Sequence, residues 1–165
     1  FMVDERLVPI YDSDSNFKLL KENAVDPLKH SLPSDNVHPF IYRPEKPDNG
    51  LGDYEQELNQ FGAKYDIILL SAGEDGHIAA LFPGHSSIKD NSKAFISFED
   101  SPKLPLARMT ASNHLLRQAD VALLMFAGAE KQTAFDHFLD PSYDYVDCPA
   151  KIVHSIAKNY VLTAF

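Results

Sequence analysis

A glycine-rich segment carries the two side chains best suited to proton transfer. Asp75 and His77 follow the apolar stretch 65–72 directly and lie among the glycines Gly73 and Gly76. An imidazole titrates near neutral pH, and a carboxylate two residues away can influence it. We interpret the pair as a candidate general-base site. The alternative is that Asp75 caps a short helix and that His77 is a partly exposed polar residue without a catalytic role.

Three cationic side chains lie where an anion could bind. Lys131 follows Gly128 in the first turn of a predicted helix, where free N–H groups and the helix dipole attract an anion. Arg108 lies in a strand-like stretch, and its planar guanidinium can donate twice to a phosphate. Arg6 ends the charged triplet of residues 4–6. Each could equally be solvated or form a surface ion pair, so the hypothesis requires that they converge on one cleft.

Composition excludes several classes of function. The 165 residues carry 24 acidic and 15 basic side chains, a formal net charge of −9, so binding to nucleic acid or to an anionic membrane is not expected. No apolar run approaches the roughly 18 residues of a membrane-spanning helix. The single cysteine, Cys148, excludes an internal disulfide and fits a reducing compartment, which predicts a cytoplasmic location. His77 and His85 lack a third ligand at a metal-binding spacing, so no metal site is expected.

The elements that must position these residues alternate between strands and helices. Nearly continuous apolar stretches at 65–72 and 120–127 predict strands buried on both faces, as in a parallel sheet. Shorter strands are predicted at 37–42, 94–98, 106–110 and 160–164, and helices at 15–28, 51–61, 77–81, 112–119 and 128–139. This order predicts one α/β domain over residues 1–165, with a mostly parallel sheet flanked by helices. Ligands of such sheets bind beyond the carboxyl ends of the strands.

Four segments, taken together and in order, closely resemble the 6-phosphogluconolactonase family. They are FMVDERLVP with Ser15-Asn16, then GEDGHIAALFPG at 73–84, RMT at 108–110 and GAEK at 128–131. The resemblance runs over nearly the whole chain, and the second segment is its most specific part. It implies a Rossmann-like fold of the glucosamine-6-phosphate isomerase type. It also implies hydrolysis of 6-phosphogluconolactone to 6-phosphogluconate in the oxidative pentose phosphate pathway, without a metal or an organic cofactor.

The same resemblance implies roles for individual residues. His77 is expected to be the general base that activates water, and Asp75 is expected to orient or polarise it. The expected contacts with the substrate and its phosphate are Arg6, Arg108, Lys131, Gly73 and Gly76. The expected partner is therefore a small phosphorylated sugar lactone. The oligomeric state stays open, as does the choice of Asp75, Glu74 or Asp4 as the partner of His77.

The chain departs from the family's pattern at both ends. The family normally has an N-terminal region with a Gly/Ser/Thr-rich loop that also contacts the phosphate, and that region is absent here. The C-terminal stretch 160–165 also stops slightly early. We therefore interpret the chain as a fragment of a lactonase, and an assay must show whether the fragment alone is active.

Two other functions are weighed against hydrolysis. A glucosamine-6-phosphate deaminase/isomerase of the same fold also has Asp-Gly-His, an arginine and a lysine. That family typically has Asp-Glu-Tyr where residues 4–6 here are Asp-Glu-Arg, and a glutamate where this chain has Phe82. Phe82 cannot transfer a proton, so deamination is disfavoured. The second alternative is a phosphosugar-binding module without catalysis, which the retained polar residues argue against.

Overall fold

The computed structural model describes residues 1–165, and its strands form two sheets. In chain order the strands are β1 (Asp4–Arg6), β2 (Ile67–Ser71), β3 (Phe95–Phe98), β4 (Arg108–Ala111), β5 (Val121–Ala127) and β6 (Lys158–Ala164). Strands β2, β5 and β6 form a parallel sheet in the order β2-β5-β6. Strands β1, β4 and β3 form an antiparallel sheet in the order β1-β4-β3. The prediction of one mostly parallel sheet is therefore correct for only one of the two sheets.

Short helices connect the strands. They are α1 (Asn16–Leu20), which continues as a π-helical turn over Lys21–Val25, then α2 (Leu51–Asn59), α3 (Asn113–Arg117) and α4 (Gln132–Leu139). Serine side chains begin two of them, because Ser15 accepts from the backbone N–H of Lys18, and Ser112 from that of Leu115. Short 3-10 helices lie at Ser34–Asn36, Ser86–Lys89, Ala129–Lys131 and Pro149–Ser155. None of the helices combines the length and the apolar character that crossing a membrane requires.

One apolar core joins the two sheets. A cluster of 27 buried residues takes side chains from strands of both sheets and from the helices between them. On β5 every second side chain is fully buried, namely Ala122, Leu124 and Phe126. This alternation gives the strand one face in the core and leaves the other face partly open.

The expectation that 65–72 and 120–127 form strands buried on both faces is wrong. Leu70 and Ile68 are buried, whereas Leu69 and Ile67 on the other face are 59% and 63% exposed. An uninterrupted apolar sequence cannot reveal this difference, because it lacks the polar alternation that marks an open face.

Three other local predictions are also wrong. Residues 37–42 pair with no strand, so they do not form a strand themselves. Residues 77–81 form no helical turn. Ala79 instead adopts a positive φ of 50°, and Ile78 and Leu81 form an isolated bridge. Where a helix is predicted at 15–28, the α-helix ends at Leu20 and a π-helical turn follows.

Substitutions on the two faces of β2 test which face packs into the core. Leu70→Ala should lower the free energy of unfolding by about 2–5 kcal/mol, because it leaves a cavity in the packed interior. Leu69→Ala, the matched control one residue away, should cost less than about 1 kcal/mol. Urea denaturation followed by circular dichroism measures both, and equal losses would contradict the assigned orientation of the strand.

Candidate active site

The carboxyl end of β2 turns sharply and places His77 beside the sheet. The backbone N–H of Gly73 donates to the carbonyl of His77 at 2.8 Å, and that of Gly76 donates to the carbonyl of Gly73 at 3.0 Å. Strands β2 and β5 are parallel neighbours, so the turn after β2 and the segment after β5 leave the sheet at the same edge. This arrangement brings His77 and Lys131 to one cavity, as the sequence predicts for the ends of parallel strands.

Two glycines in this turn are required by close contacts. A Cβ on Gly73 would lie 2.0 Å from the ring of His77, so no other residue leaves room for the imidazole. Gly76 has a φ of +85°, and a Cβ there would lie 2.9 Å from the sulfur of Cys148. Gly73 lines the cavity, but Gly76 does not. The structure gives Gly76 a role against Cys148, and its proposed substrate contact stays a prediction.

Asp75 is the carboxylate that contacts the imidazole. Its Oδ1 lies 2.5 Å from Nδ1 of His77 and also accepts from the backbone N–H of His77 at 3.2 Å. This geometry assigns the ring proton to Nδ1 and leaves Nε2 as an acceptor. Glu74 points to Lys103 instead. Of the carboxylates left open by the sequence, Asp75 is thus the hydrogen-bonded partner.

The contacts of Asp75 with His77 and Lys103 keep its carboxyl ionised. Burial acts to raise the pKa of the Asp75 carboxyl, but the hydrogen bonds and charge of His77, with the charge of Lys103, outweigh it and hold the pKa well below its ordinary value. Because the folded-state pKa is lowered, the ionised carboxylate stabilises the fold above about pH 4. That stabilisation is lost as the pH falls through the lower folded-state value.

Strand β1 brings two charged side chains to the same cavity, Asp4 and Arg6. Burial raises the pKa of the Asp4 carboxyl, and the nearby guanidinium of Arg6 opposes the rise. Asn16 at the start of α1 donates to Oδ2 of Asp4 at 3.0 Å. Arg6 donates from Nη1 to the carbonyl of Asp14, while its buried Nε has no partner. A buried donor without an acceptor is costly, so this atom favours an anionic ligand.

Glu5, between these two residues, points away from the cavity and fixes the start of α1. Its side chain is 2% exposed. Oε1 accepts from the backbone N–H groups of Arg6 and Asn16, and Oε2 from the N–H of Phe17 and the hydroxyl of Ser15. This carboxylate therefore ties β1 to α1, the two elements that supply Asp4, Arg6 and Asn16 to the site.

Arg108 on β4 lies directly opposite Arg6 in the antiparallel sheet. Its guanidinium is 5% exposed and donates to three backbone carbonyls, those of Lys103, Leu104 and Pro105, at 3.3, 2.9 and 2.8 Å. These bonds use Nε and Nη2 and leave Nη1 without a partner. Burial and then the charge of Arg6 lower the pKa of Arg108. Arg108 thus holds a loop in place and has only one nitrogen available for a ligand.

The resulting cavity has a volume of about 410 Å³ and collects most of the predicted site residues. Of those residues it includes Gly73, His77, Arg6, Arg108 and Lys131, while Asp75 lies behind the ring of His77. Asn16, Lys103 and Leu104 also line the cavity, although no pattern in the sequence predicts a role for them. Lys103 lies five residues before Arg108 between two prolines, a segment that carries no periodic signal. No group of three or more His, Cys, Asp or Glu side chains could hold a metal ion.

Comparison with known proteins gives the family. Residues 1–162 match the family described as glucosamine-6-phosphate isomerases/6-phosphogluconolactonase. The chain belongs to this family. The family's fold type is that predicted from the resemblance, with a parallel sheet in a mixed α/β architecture.

Individual relatives agree with this assignment. A 6-phosphogluconolactonase of Borreliella burgdorferi is 32% identical over 99% of this chain and 70% of its own length. 6-phosphogluconolactonase 4 of Saccharomyces cerevisiae is 32% identical over 80% of this chain and 55% of its own length. The solved 6-phosphogluconolactonase of Thermotoga maritima has a TM-score of 0.81 at 25% identity, over 99% of this chain and 71% of that one. A monomeric glucosamine-6-phosphate deaminase, at a TM-score of 0.79 and 20% identity, shares the fold over 98% of this chain and 70% of its own.

The role of Glu5 can be tested by one isosteric change. Glu5→Gln replaces an acceptor of four N–H and O–H donors by a group that must itself donate, so it should lower the free energy of unfolding by about 1.5–3 kcal/mol. Glu55→Gln on the exposed face of α2 is the matched control and should change it by less than about 0.5 kcal/mol. Chemical denaturation measures both variants, and a Glu5→Gln protein as stable as the control would exclude this anchoring role.

Proposed function

We propose that the chain hydrolyses 6-phosphogluconolactone to 6-phosphogluconate, a step of the oxidative pentose phosphate pathway. The proposal rests on one observation. In a single cavity, an imidazole oriented by Asp75 lies with cationic nitrogens that have no acceptor in the chain. The names of the relatives support the same substrate and reaction.

The phosphate of the substrate fits the unpaired cationic donors. Nε of Arg6 and Nη1 of Arg108 lack partners, and Lys131 forms no ion pair. Lys131 also lies in the 3-10 turn that precedes α4, at the helix end where the dipole favours an anion. The chain carries a net charge of −9, so these cations form a local site that a small phosphorylated ligand can use and a nucleic acid cannot. Recognition of the phosphate would then hold the lactone ring near His77.

The hydrolysis needs one base and one water molecule. Nε2 of His77 takes a proton from water, and the resulting hydroxide adds to the lactone carbonyl carbon. The cations of the cavity stabilise the negative charge that develops on the carbonyl oxygen. The tetrahedral intermediate then expels the ring oxygen, which receives the proton from the imidazolium of His77. One C–O bond forms and one breaks, the base is regenerated, and the product is the open-chain acid.

Deamination remains disfavoured on the geometry of this site. The ring of Phe82 packs against His77 with centroids 4.7 Å apart and occupies the position at which the deaminases carry a glutamate. A phenyl ring cannot transfer the proton that opening an amino sugar requires. We also propose a cytoplasmic location and a single domain over residues 1–165, for which Cys148 as the only cysteine and the continuous core give support.

The proposed base is tested by a hydrolysis assay. The parent should open freshly prepared 6-phosphogluconolactone faster than the uncatalysed rate, and His77→Ala should lower kcat by about 10²–10⁴-fold with little change in affinity. Release of acid at constant pH measures the rate. Calorimetry with 6-phosphogluconate runs beside it, because binding without turnover by the parent would support the non-catalytic module. Equal kcat values for the parent and His77→Ala would remove His77 as the base.

The proposed phosphate contact is tested at Lys131, whose side chain forms no hydrogen bond or ion pair within the chain. Lys131→Ala should weaken binding of 6-phosphogluconate by about 10-fold or more and leave the affinity for unphosphorylated gluconate unchanged. Lys158→Ala on the exposed part of β6 removes the same charge outside the cavity and should change neither affinity. Calorimetry measures all of these constants. An unaltered dissociation constant for the phosphorylated ligand would disprove the role of Lys131.

A further inference from the structure

Lys103 projects from a loop whose backbone is held on two sides. Arg108 donates to the carbonyls of Lys103, Leu104 and Pro105 from within the fold. The hydroxyl of Ser101 donates to the carbonyl of Lys103 at 2.9 Å and accepts from its N–H at 3.2 Å. The neighbouring Leu104 is 81% exposed, so packing of side chains does not explain this order. These hydrogen bonds therefore fix the backbone position from which the Lys103 side chain extends.

The ammonium group of Lys103 lies beside the carboxylate of Asp75, which contacts His77. Its Nζ lies 3.4 Å from Oδ2 of Asp75 and 3.3 Å from Oε1 of Glu74. The other oxygen of Asp75, Oδ1, lies 2.5 Å from Nδ1 of His77. One carboxylate thus bridges an ammonium and an imidazole, and Lys103 itself lines the cavity.

We propose that Lys103 is a positioning residue for the proposed hydrolysis and acts on His77 through Asp75. The ion pair holds Oδ2, so that Oδ1 stays on Nδ1 and the ring keeps Nε2 free for the proton of water. The positive charge of Lys103 also opposes a positive charge on the ring. The ion pair thus fixes the orientation of the ring, and the charge of Lys103 acts against protonation of Nε2. This inference depends on the proposed function only for its kinetic consequence.

Other charged or titratable groups surround the pair of Asp75 and His77 on several elements. They are Glu74 beside Lys103, Asp4 on β1 beside His77, Arg6 and Arg108 beside Asp4, Lys131 on the cavity wall, and Cys148 next to Gly76. Burial raises the pKa of the Cys148 thiol and keeps it neutral. Lys103 is the one cation that forms an ion pair with Asp75, apart from His77.

The first test follows the ring of His77 in the protein without substrate. In an NMR titration, Lys103→Met should move the midpoint of the His77 ring signal to higher pH by about 0.5–1 unit, because an opposing charge is lost at a partly exposed site. Lys103→Arg should restore the parent midpoint. Lys64→Met, which breaks a lysine–aspartate pair outside the cavity, should leave it unchanged. A midpoint in Lys103→Met that stays in place or falls would overturn the proposal.

The second test measures the pH profile of lactone hydrolysis by the same proteins. Lys103→Met should move the acid limb of kcat/KM to higher pH and lower kcat at neutral pH by about 10-fold, with KM changed by less than about 3-fold. A parent that hydrolyses the lactone with a profile unaltered by Lys103→Met would reject the inference and keep the proposed function. A parent without turnover whose His77 titration still responds to Lys103→Met would reject the function and keep the coupling.

Discussion

Two arginines, Arg6 and Arg108, face each other across adjacent antiparallel strands, and the rest of the site depends on how their repulsion is relieved. Like charges directly opposite one another destabilise a pair of strands, and burial of Arg108 increases the cost. The chain offsets this cost with oriented dipoles and one carboxylate. Carbonyl oxygens accept hydrogen bonds from both guanidiniums. The charge of Asp4 also acts on both arginines, although Asp4 forms no hydrogen bond with either of them. The compensation is incomplete, because each guanidinium keeps at least one nitrogen without an acceptor.

The same arrangement explains why the pKa values of Asp4 and Asp75 shift in opposite directions, although Asp4 lines the cavity and Asp75 adjoins it. Asp75 accepts hydrogen bonds from His77 and pairs with Lys103, so its pKa falls despite partial burial. Asp4 accepts only from Asn16 and faces the neighbouring Glu5, so burial dominates and its pKa rises. Asp75 in the turn after β2 and Asp4 on β1 therefore have different environments. In the proposed function, Asp75 is the anion that holds the imidazole, and Asp4 is a counterion weakened by burial, which leaves the arginines partly unpaired for a ligand.

The sequence predicted the parallel half of this site better than the antiparallel half, for physical reasons. Apolar stretches followed by glycines identify the ends of β2 and β5, and parallel pairing then places His77 near Lys131 without further information. The convergence of Arg6 with Arg108 depends on the register of β1 against β4, two strands about a hundred residues apart whose pairing no local pattern specifies. Lys103 was missed for the related reason that its position comes from hydrogen bonds of Arg108 to a loop. The resemblance to a family supplied what periodicity could not, the joint use of these residues.

The two sheets divide the proposed reaction between them. The turn after β2 in the parallel sheet carries the base, while β1 and β4 in the antiparallel sheet carry the arginines. A phosphate that accepts from the unpaired guanidinium nitrogens would reduce the repulsion between Arg6 and Arg108, which makes binding more favourable than the new hydrogen bonds alone would. Such binding energy arises away from the carbonyl that reacts, so it can be used to hold the lactone against His77 without stabilising the unreacted ring itself. An acidic protein can in this way recruit a small anion, because Arg6, Arg108 and Lys131 line one cavity although the net charge of the chain is −9.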